Sequence, residues 1–109
     1  MLAWGGGVGT YTIAPTAAEV LTINGGINAN DSATITADIL LGGAQSWTVA
    51  ATKLLTVSNV NNGGNLLTIT GAGNTTIGGI LSGVGGLTKT LGGTLNLTGA
   101  NTYTGVSTI

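Results

Sequence analysis

Apolar residues in this chain recur at every second position, in short runs, and almost nowhere at helical spacing. Leu21-Thr22-Ile23, Trp47-Thr48-Val49, Leu55-Thr56-Val57, Leu67-Thr68-Ile69 and Leu95-Asn96-Leu97 each put two apolar side chains on one side of an extended backbone and a polar one on the other. Threonine suits the polar side, being β-branched and carrying a hydroxyl for water. Between the runs stand Asn24-Gly25-Gly26, Gly42-Gly43, Asn61-Asn62-Gly63-Gly64, Gly71-Ala72-Gly73-Asn74, Gly78-Gly79, Gly85-Gly86 and Gly92-Gly93, residue types that tolerate turn conformations. The pattern predicts an all-β fold of many short strands joined by tight corners. One helical signal competes, because Thr16-Ala17-Ala18-Glu19 after Pro15 has the form of a capping box. Strand-like Val20-Leu21-Thr22-Ile23 and then Gly25 follow at once, so a polar turn is expected there.

Among all-β architectures a β-solenoid fits best. Each coil of a parallel β-helix lends short strands that pair with the coils above and below, about 4.8 Å away. Leu, Ile and Val then stack into a narrow core, Gly and Asn form corners, and Thr lines the outside. At roughly 20–25 residues per coil the chain holds about four to five coils and spans roughly 20 Å. The Leu-Thr-(Ile/Val) starts at Leu21, Leu55 and Leu67, with Leu95 as a variant, are 34, 12 and 28 residues apart. No single period emerges, which means either degenerate repeats or triplets on different sides of a coil.

Composition sharpens this reading. Only five of 109 residues are charged: Glu19, Asp31, Asp38, Lys53 and Lys89. Like charges stacked in register repel, so a solenoid explains the scarcity where a sandwich, with charged strand edges and several aromatics, does not. Disorder is excluded by 29 Val, Ile and Leu residues. The chain has no Cys and no His, which removes disulfides, thiolate chemistry and the commonest neutral-pH base and metal ligand. Two lysines and a net charge of −1 do not make a nucleic-acid-binding surface. No run reaches the ~18 apolar residues of a membrane-spanning helix. Met1-Leu2-Ala3-Trp4 before Gly5-Gly6-Gly7 lacks the basic and apolar regions of a signal peptide, and Ile109 falls inside an alternating segment; together these read as an uncapped fragment.

Candidate chemistry is sparse. Asp31 and Asp38 are seven residues apart, which on an uninterrupted strand puts them on opposite faces, so they are expected as solvated coil edges rather than a converging glycosidase pair. Neither acid sits in a calcium-binding nonapeptide pattern, and Gly5-Gly6-Gly7-Val8-Gly9 completes neither a dinucleotide fingerprint nor a Walker loop. Lys89, between Thr88 and Thr90, is expected as an outward cation that blunts a sheet edge. Trp47 and Tyr103 alternate with Thr and are expected to pack rather than to bind sugar. Asn30-Asp31-Ser32, Asn74-Thr75-Thr76 and Asn96-Leu97-Thr98 are formal glycosylation sequons of the kind such a composition produces by chance. No catalytic, cofactor-binding or metal-binding residues, no cofactor and no small-molecule substrate are therefore expected. Thr-x-Thr occurs at Thr10/Thr12, Thr34/Thr36, Thr68/Thr70, Thr88/Thr90 and Thr102/Thr104, and flat arrays of this kind look like ice-binding faces. Their starts are spaced 24, 34, 20 and 14, which predicts that they do not form one flat array.

The last third, Gly83-Val84-Gly85-Gly86-Leu87-Thr88-Lys89-Thr90-Leu91-Gly92-Gly93-Thr94-Leu95-Asn96-Leu97-Thr98-Gly99-Ala100-Asn101-Thr102-Tyr103-Thr104-Gly105, resembles the autotransporter-associated β-strand repeat, also called the passenger-associated transport repeat. Gly85, Gly86, Leu87, Lys89, Gly93, Leu95, Leu97, Gly99, Asn101, Tyr103 and Gly105 fall on the family pattern. Leu91 departs from it, standing where the family has Gly, and is expected to alter the turn between Lys89 and Gly93. The resemblance covers 78–109, with 16–77 read as degenerate coils and 1–15 as an irregular or edge segment. It implies a right-handed parallel β-helix and a non-catalytic stalk segment of a type V secreted or surface-exposed bacterial passenger. Such a stalk supports export by progressive folding and presents adhesion regions. The implied partner is a translocator β-barrel in the parent protein. The alternative function is a Thr-rich solenoid that binds ice or self-assembles end to end through its open strand edges.

Overall fold

The computed structural model describes residues 2–4 and 11–13 as backbone strands and residues 20–109 with their side chains. The polar turn expected at Thr16–Glu19 and the Thr10 of the first Thr-x-Thr pair lie outside the described residues. The chain winds in coils of three strands. The first coil has β1 (Leu2–Trp4), β2 (Tyr11–Ile13) and β3 (Val20–Ile23); the second has β4 (Ile27–Ala29), β5 (Ala33–Ile35) and β6 (Asp38–Leu41). The third has β7 (Gln45–Val49), β8 (Leu54–Val57) and β9 (Val60–Asn61); the fourth has β10 (Leu67–Thr70), β11 (Asn74–Ile77) and β12 (Leu81–Ser82). A fifth begins with β13 (Leu87–Lys89) and β14 (Leu95–Leu97), and β15 (Ser107–Thr108) returns beside β13.

Equivalent strands stack into three sheets, in the orders β1-β4-β7-β10-β13-β15, β2-β5-β8-β11-β14 and β3-β6-β9-β12. We call these sheets 1, 2 and 3. Every pair among the described strands is parallel, so each coil advances the chain by one strand on each side. The protein is thus a β-solenoid of about four turns. The segment 1–15 contributes β1 and β2, which form edge strands of sheets 1 and 2.

The core is made of columns of inward side chains, one residue per coil. Sheet 3 stacks Leu21, Ile39, Val60 and Leu81. Sheet 2 stacks Ile35, Val57, Ile77 and Leu97. Sheet 1 stacks Ile27, Trp47, Ile69 and Lys89. Burial follows the pleat: β7 reads buried-exposed-buried-exposed-buried along Gln45-Ser46-Trp47-Thr48-Val49. Shedding water from these apolar columns stabilises the stack by roughly 25 cal/mol per Å² buried. Any coil alone would leave its apolar face uncovered.

The corners explain the glycines. Gly93 lies directly over Gly73, Gly99 over Gly79 and Gly105 over Gly85, and a Cβ at each upper residue would come within 1.7, 2.0 and 2.0 Å of the carbonyl oxygen below. Rigid backbone leaves no room there for any side chain. Asparagine makes the complementary contact, bonding from side chains at or near the corners to the main chain of a neighbouring coil. Asn59 Oδ1 accepts from the Ile80 amide at 2.8 Å, Asn74 Oδ1 from the Thr94 amide at 2.9 Å and Asn101 Oδ1 from the Leu81 amide at 2.8 Å. Each such bond supplies a partner to a main-chain donor that the ladder does not reach.

Three positions depart from this consistency, one of them Thr52, a β-branched residue at φ +68° in the corner before β8. Leu91 has φ +63°, a left-handed conformation, and its side chain is 74% exposed. The turn after Lys89 thus adopts a geometry that glycine favours and leucine tolerates poorly. The left-handed state costs a non-glycine residue about 1–2 kcal/mol, while glycine's extra freedom when unfolded offsets about 0.4–1 kcal/mol of the relief. Leu91→Gly is expected to raise stability by roughly 0.5–1 kcal/mol. Equilibrium denaturation checks this, and an unchanged or lower midpoint contradicts it. Thr75 points inward between Leu55 and Leu95, is fully buried, and its hydroxyl has no hydrogen-bonding partner. Thr75→Val keeps the shape and removes the orphan group, so a gain of about 1 kcal/mol, or about 4 °C in Tm, is expected in a thermal scan.

Candidate functional site

Among the described residues the charged side chains do not gather into one cluster. Asp31 lies in the corner between β4 and β5, is 4% exposed, and its Oδ1 is 3.7 Å from Lys53 Nζ in the corner one coil on. This corrects its expected place as a solvated coil edge: an ion pair spanning two coils lets the carboxylate be buried at the corner. Asp38 opens β6 on sheet 3 and is exposed, accepting a hydrogen bond from Asn59 Nδ2 at 3.0 Å. The two acids stand on different strands, because a corner at Thr36-Ala37 interrupts the segment between them. They face different surroundings and form no converging pair. No cluster of three potential metal ligands occurs among the described residues.

Lys89 is the larger correction. It is 8% exposed and occupies the inward column above Ile69, with its Nζ donating to the Thr90 carbonyl at 2.7 Å. Its aliphatic stem lies along the core column while its ammonium reaches main-chain oxygen. It does not blunt a sheet edge. The signal was present in the sequence: with Leu87 inward, strict alternation puts Thr88 out, Lys89 in and Thr90 out.

Trp47 packs as expected and is wholly buried. Its Nε1 donates to Gln45 Oε1 at 2.9 Å, and Gln45 Nε2 donates to the carbonyls of Ile23 at 2.7 Å and Gly43 at 3.1 Å. This polar pair inside sheet 1 satisfies an indole N–H that would otherwise be orphaned in the core. Gln45 was not singled out from sequence, since a lone polar residue at an inward position carries no mark of its partner. Tyr103 packs against the core and its hydroxyl pairs with the Ser107 hydroxyl.

Two surfaces remain. The first is an open groove of roughly 320 Å³ on sheet 3, lined by Val20, Asp38, Leu40, Asn59, Asn61 and Ser82. Its amides are already engaged: Asn59 bonds to Asp38 and the Ile80 amide, and Asn61 Oδ1 accepts from the Gly63 amide at 2.9 Å. One carboxylate, the Ser82 hydroxyl and largely engaged amides bring together no acid–base pair and no cation cage in the groove.

The second is the outer face of sheet 1. Thr68 pairs with Ser46 on one side and Thr88 on the other, and Thr88 with Thr108, giving one column of hydroxyl side chains. Asn28, Thr48 and Thr70 form a second column, which Thr90 extends by bonding from its Oγ1 to Thr70 Oγ1 at 2.9 Å. The four Thr-x-Thr pairs among the described residues do not form a single array, as their spacing predicts: Thr34 lies in sheet 2 with Thr36 in the corner after it, and Thr102/Thr104 lies in the segment between β14 and β15. Thr68/Thr70 and Thr88/Thr90, however, stack in strict register, with Ser46/Thr48 in the slot before them.

Comparisons with protein families, with characterised proteins and with solved structures found no match to this chain.

Proposed function

We propose that the chain is a non-catalytic structural segment, a stalk of stacked coils belonging to a secreted or surface-exposed bacterial passenger of the autotransporter type. The observation that carries this reading is the repetition at all three corners, where Gly93, Gly99 and Gly105 sit over Gly73, Gly79 and Gly85 in a continuous parallel stack. Such a stack adds one coil at a time, each stabilised mainly by the coil before it. A chain folding this way as it leaves a membrane pore is drawn outward, since each docked coil opposes return. Five charges and no cysteine leave it easy to thread while unfolded. The glycine and asparagine corners supply rigidity and length, and the scattered acids and inward Lys89 supply no reacting group.

The test is export. The chain is fused between a signal peptide and an outer-membrane translocator barrel in a Gram-negative host, and surface appearance is followed by protease accessibility on intact cells. Wild type is expected to reach the surface folded, and Gly93→Val, which blocks coil docking, to stall in the periplasm. Equal surface delivery of both, with the variant shown unfolded, overturns the role of coil stacking in export.

A further inference from the structure

We infer that the outer face of sheet 1, carrying Ser46, Thr48, Thr68, Thr70, Thr88 and Thr90, is an ice-binding surface. This goes beyond the stalk reading and does not depend on it, because it concerns side chains that point away from the core.

Geometry sets up the face. Strands of successive coils lie about 4.8 Å apart, and alternate residues along a strand about 6.6 Å apart, so two columns of in-register side chains make a near-rectangular mesh. Threonine is stiff at χ1, and its hydroxyl and methyl keep fixed places on that mesh. The Thr90–Thr70 hydroxyl bond, at 2.9 Å, couples neighbouring coils directly. A hydroxyl has one donor and two acceptor sites, so both groups keep capacity for water at defined positions.

Charge makes the face unusual. Lys89 is the only charged residue in the strands β4, β7, β10, β13 and β15, and it points inward. What remains outside is uncharged, short and periodic. The other solid or macromolecular partners are each disfavoured by what the face lacks. A mineral lattice requires charge, and these columns carry none. A polysaccharide platform requires an aromatic ring for stacking, and the one aromatic of β7, Trp47, is fully buried. A protein interface requires a central apolar anchor. The outward residues of β7, β10 and β13 are all Ser or Thr, and the exposed Leu66, Leu91 and Val106 stand beyond the strand ends rather than at the centre of the face. A repeating lattice of water molecules matches both the neutrality and the mesh. Sheet 2 offers less: Thr34, Thr56 and Thr76 make one hydroxyl column, but its neighbour column runs Leu54 to Asn74.

The experiment uses the full chain with ice alone as the probe, measuring ice recrystallisation and partition into a slowly growing ice front. Wild type is expected to suppress recrystallisation and enter the ice. Thr68→Tyr projects a ring from the centre of the face and is expected to raise the concentration needed at least tenfold. Thr56→Tyr, in the equivalent place on sheet 2, is expected to leave activity within twofold. Circular dichroism and Tm establish that each variant is folded; if Thr68→Tyr does not fold, Thr88→Val, which keeps the β-branched shape and deletes a hydroxyl, takes its place with a loss of threefold or more expected. An inactive wild type overturns the inference, as does a folded sheet 1 variant with full activity, or equal loss from the sheet 2 variant. Export of the fused chain is read separately, so failure on ice leaves the stalk reading standing.

Discussion

Trp47→Ala is expected to destabilise the fold by about 3–5 kcal/mol, the range for deleting a buried tryptophan. Three features place it there. Trp47 is the largest wholly buried side chain among the described residues, it fills the sheet 1 column between Ile27 and Ile69, and its Nε1 satisfies Gln45 Oε1. Truncation opens a cavity that rigid coils above and below cannot collapse into, and it leaves a buried amide oxygen without its donor. Because the third coil interfaces with both its neighbours, one substitution weakens two contacts in a stack whose stability is a sum of nearest-neighbour terms. Trp47→Phe separates the contributions: it refills most of the volume but orphans Gln45, at a cost of about 1–3 kcal/mol. Urea denaturation followed by far-ultraviolet circular dichroism measures both. A loss below 1 kcal/mol for the alanine variant contradicts the column packing.

Asn62→Ala is the second large effect, with a loss of about 2–4 kcal/mol expected from buried main-chain groups left unpaired. Asn62 is 1% exposed. Its Oδ1 accepts from the amides of Gly64 at 3.1 Å and Gly85 at 2.9 Å, while its Nδ2 donates to the Gly85 carbonyl at 3.0 Å. One side chain thus closes its own turn and holds both polar groups of a residue 23 positions away. Gly85 is glycine for the same close approach, since a Cβ there would meet the Asn65 carbonyl oxygen at 2.0 Å. Asn61→Ala is the matched control: Asn61 is exposed and bonds to the Gly63 amide, so its loss is expected to be under about 1 kcal/mol. Similar losses for the two variants contradict the inter-coil role of Asn62.

The sequence made the strands and the solenoid legible because period two and the Gly-Asn punctuation are local signals. The coil register was not legible, and the reason is geometric. Leu21 belongs to sheet 3, Leu55 and Leu95 to sheet 2 and Leu67 to sheet 1, so the similar triplets mark different sides of the coil and their spacings mix corner lengths with coil lengths. The interval itself varies, being 18 residues from Leu21 to Ile39, 22 from Trp47 to Ile69 and 20 from Ile69 to Lys89. Only the last is marked in the sequence, by Thr70 and Thr90 and by the paired corner glycines. Lys89 was misplaced because its charge outweighed the alternation around it. Asp31 is buried beside Lys53, which the fold brings close from 22 positions away and no local pattern announces. The sheet 1 face was partly visible as Thr-x-Thr, but Ser46-x-Thr48 joins it only once the register is known.

The parallel stack also has a mechanical consequence. A coil at an open end of such a stack is held by ladder bonds to one neighbour only, so load along the chain falls on it first. Peeling one 20-residue coil sacrifices one strand spacing of height and frees roughly 70 Å of extended chain. The molecule therefore yields in steps, lengthening as a tether while its remaining coils keep their shape, and it rewinds from the surviving end when the tension drops.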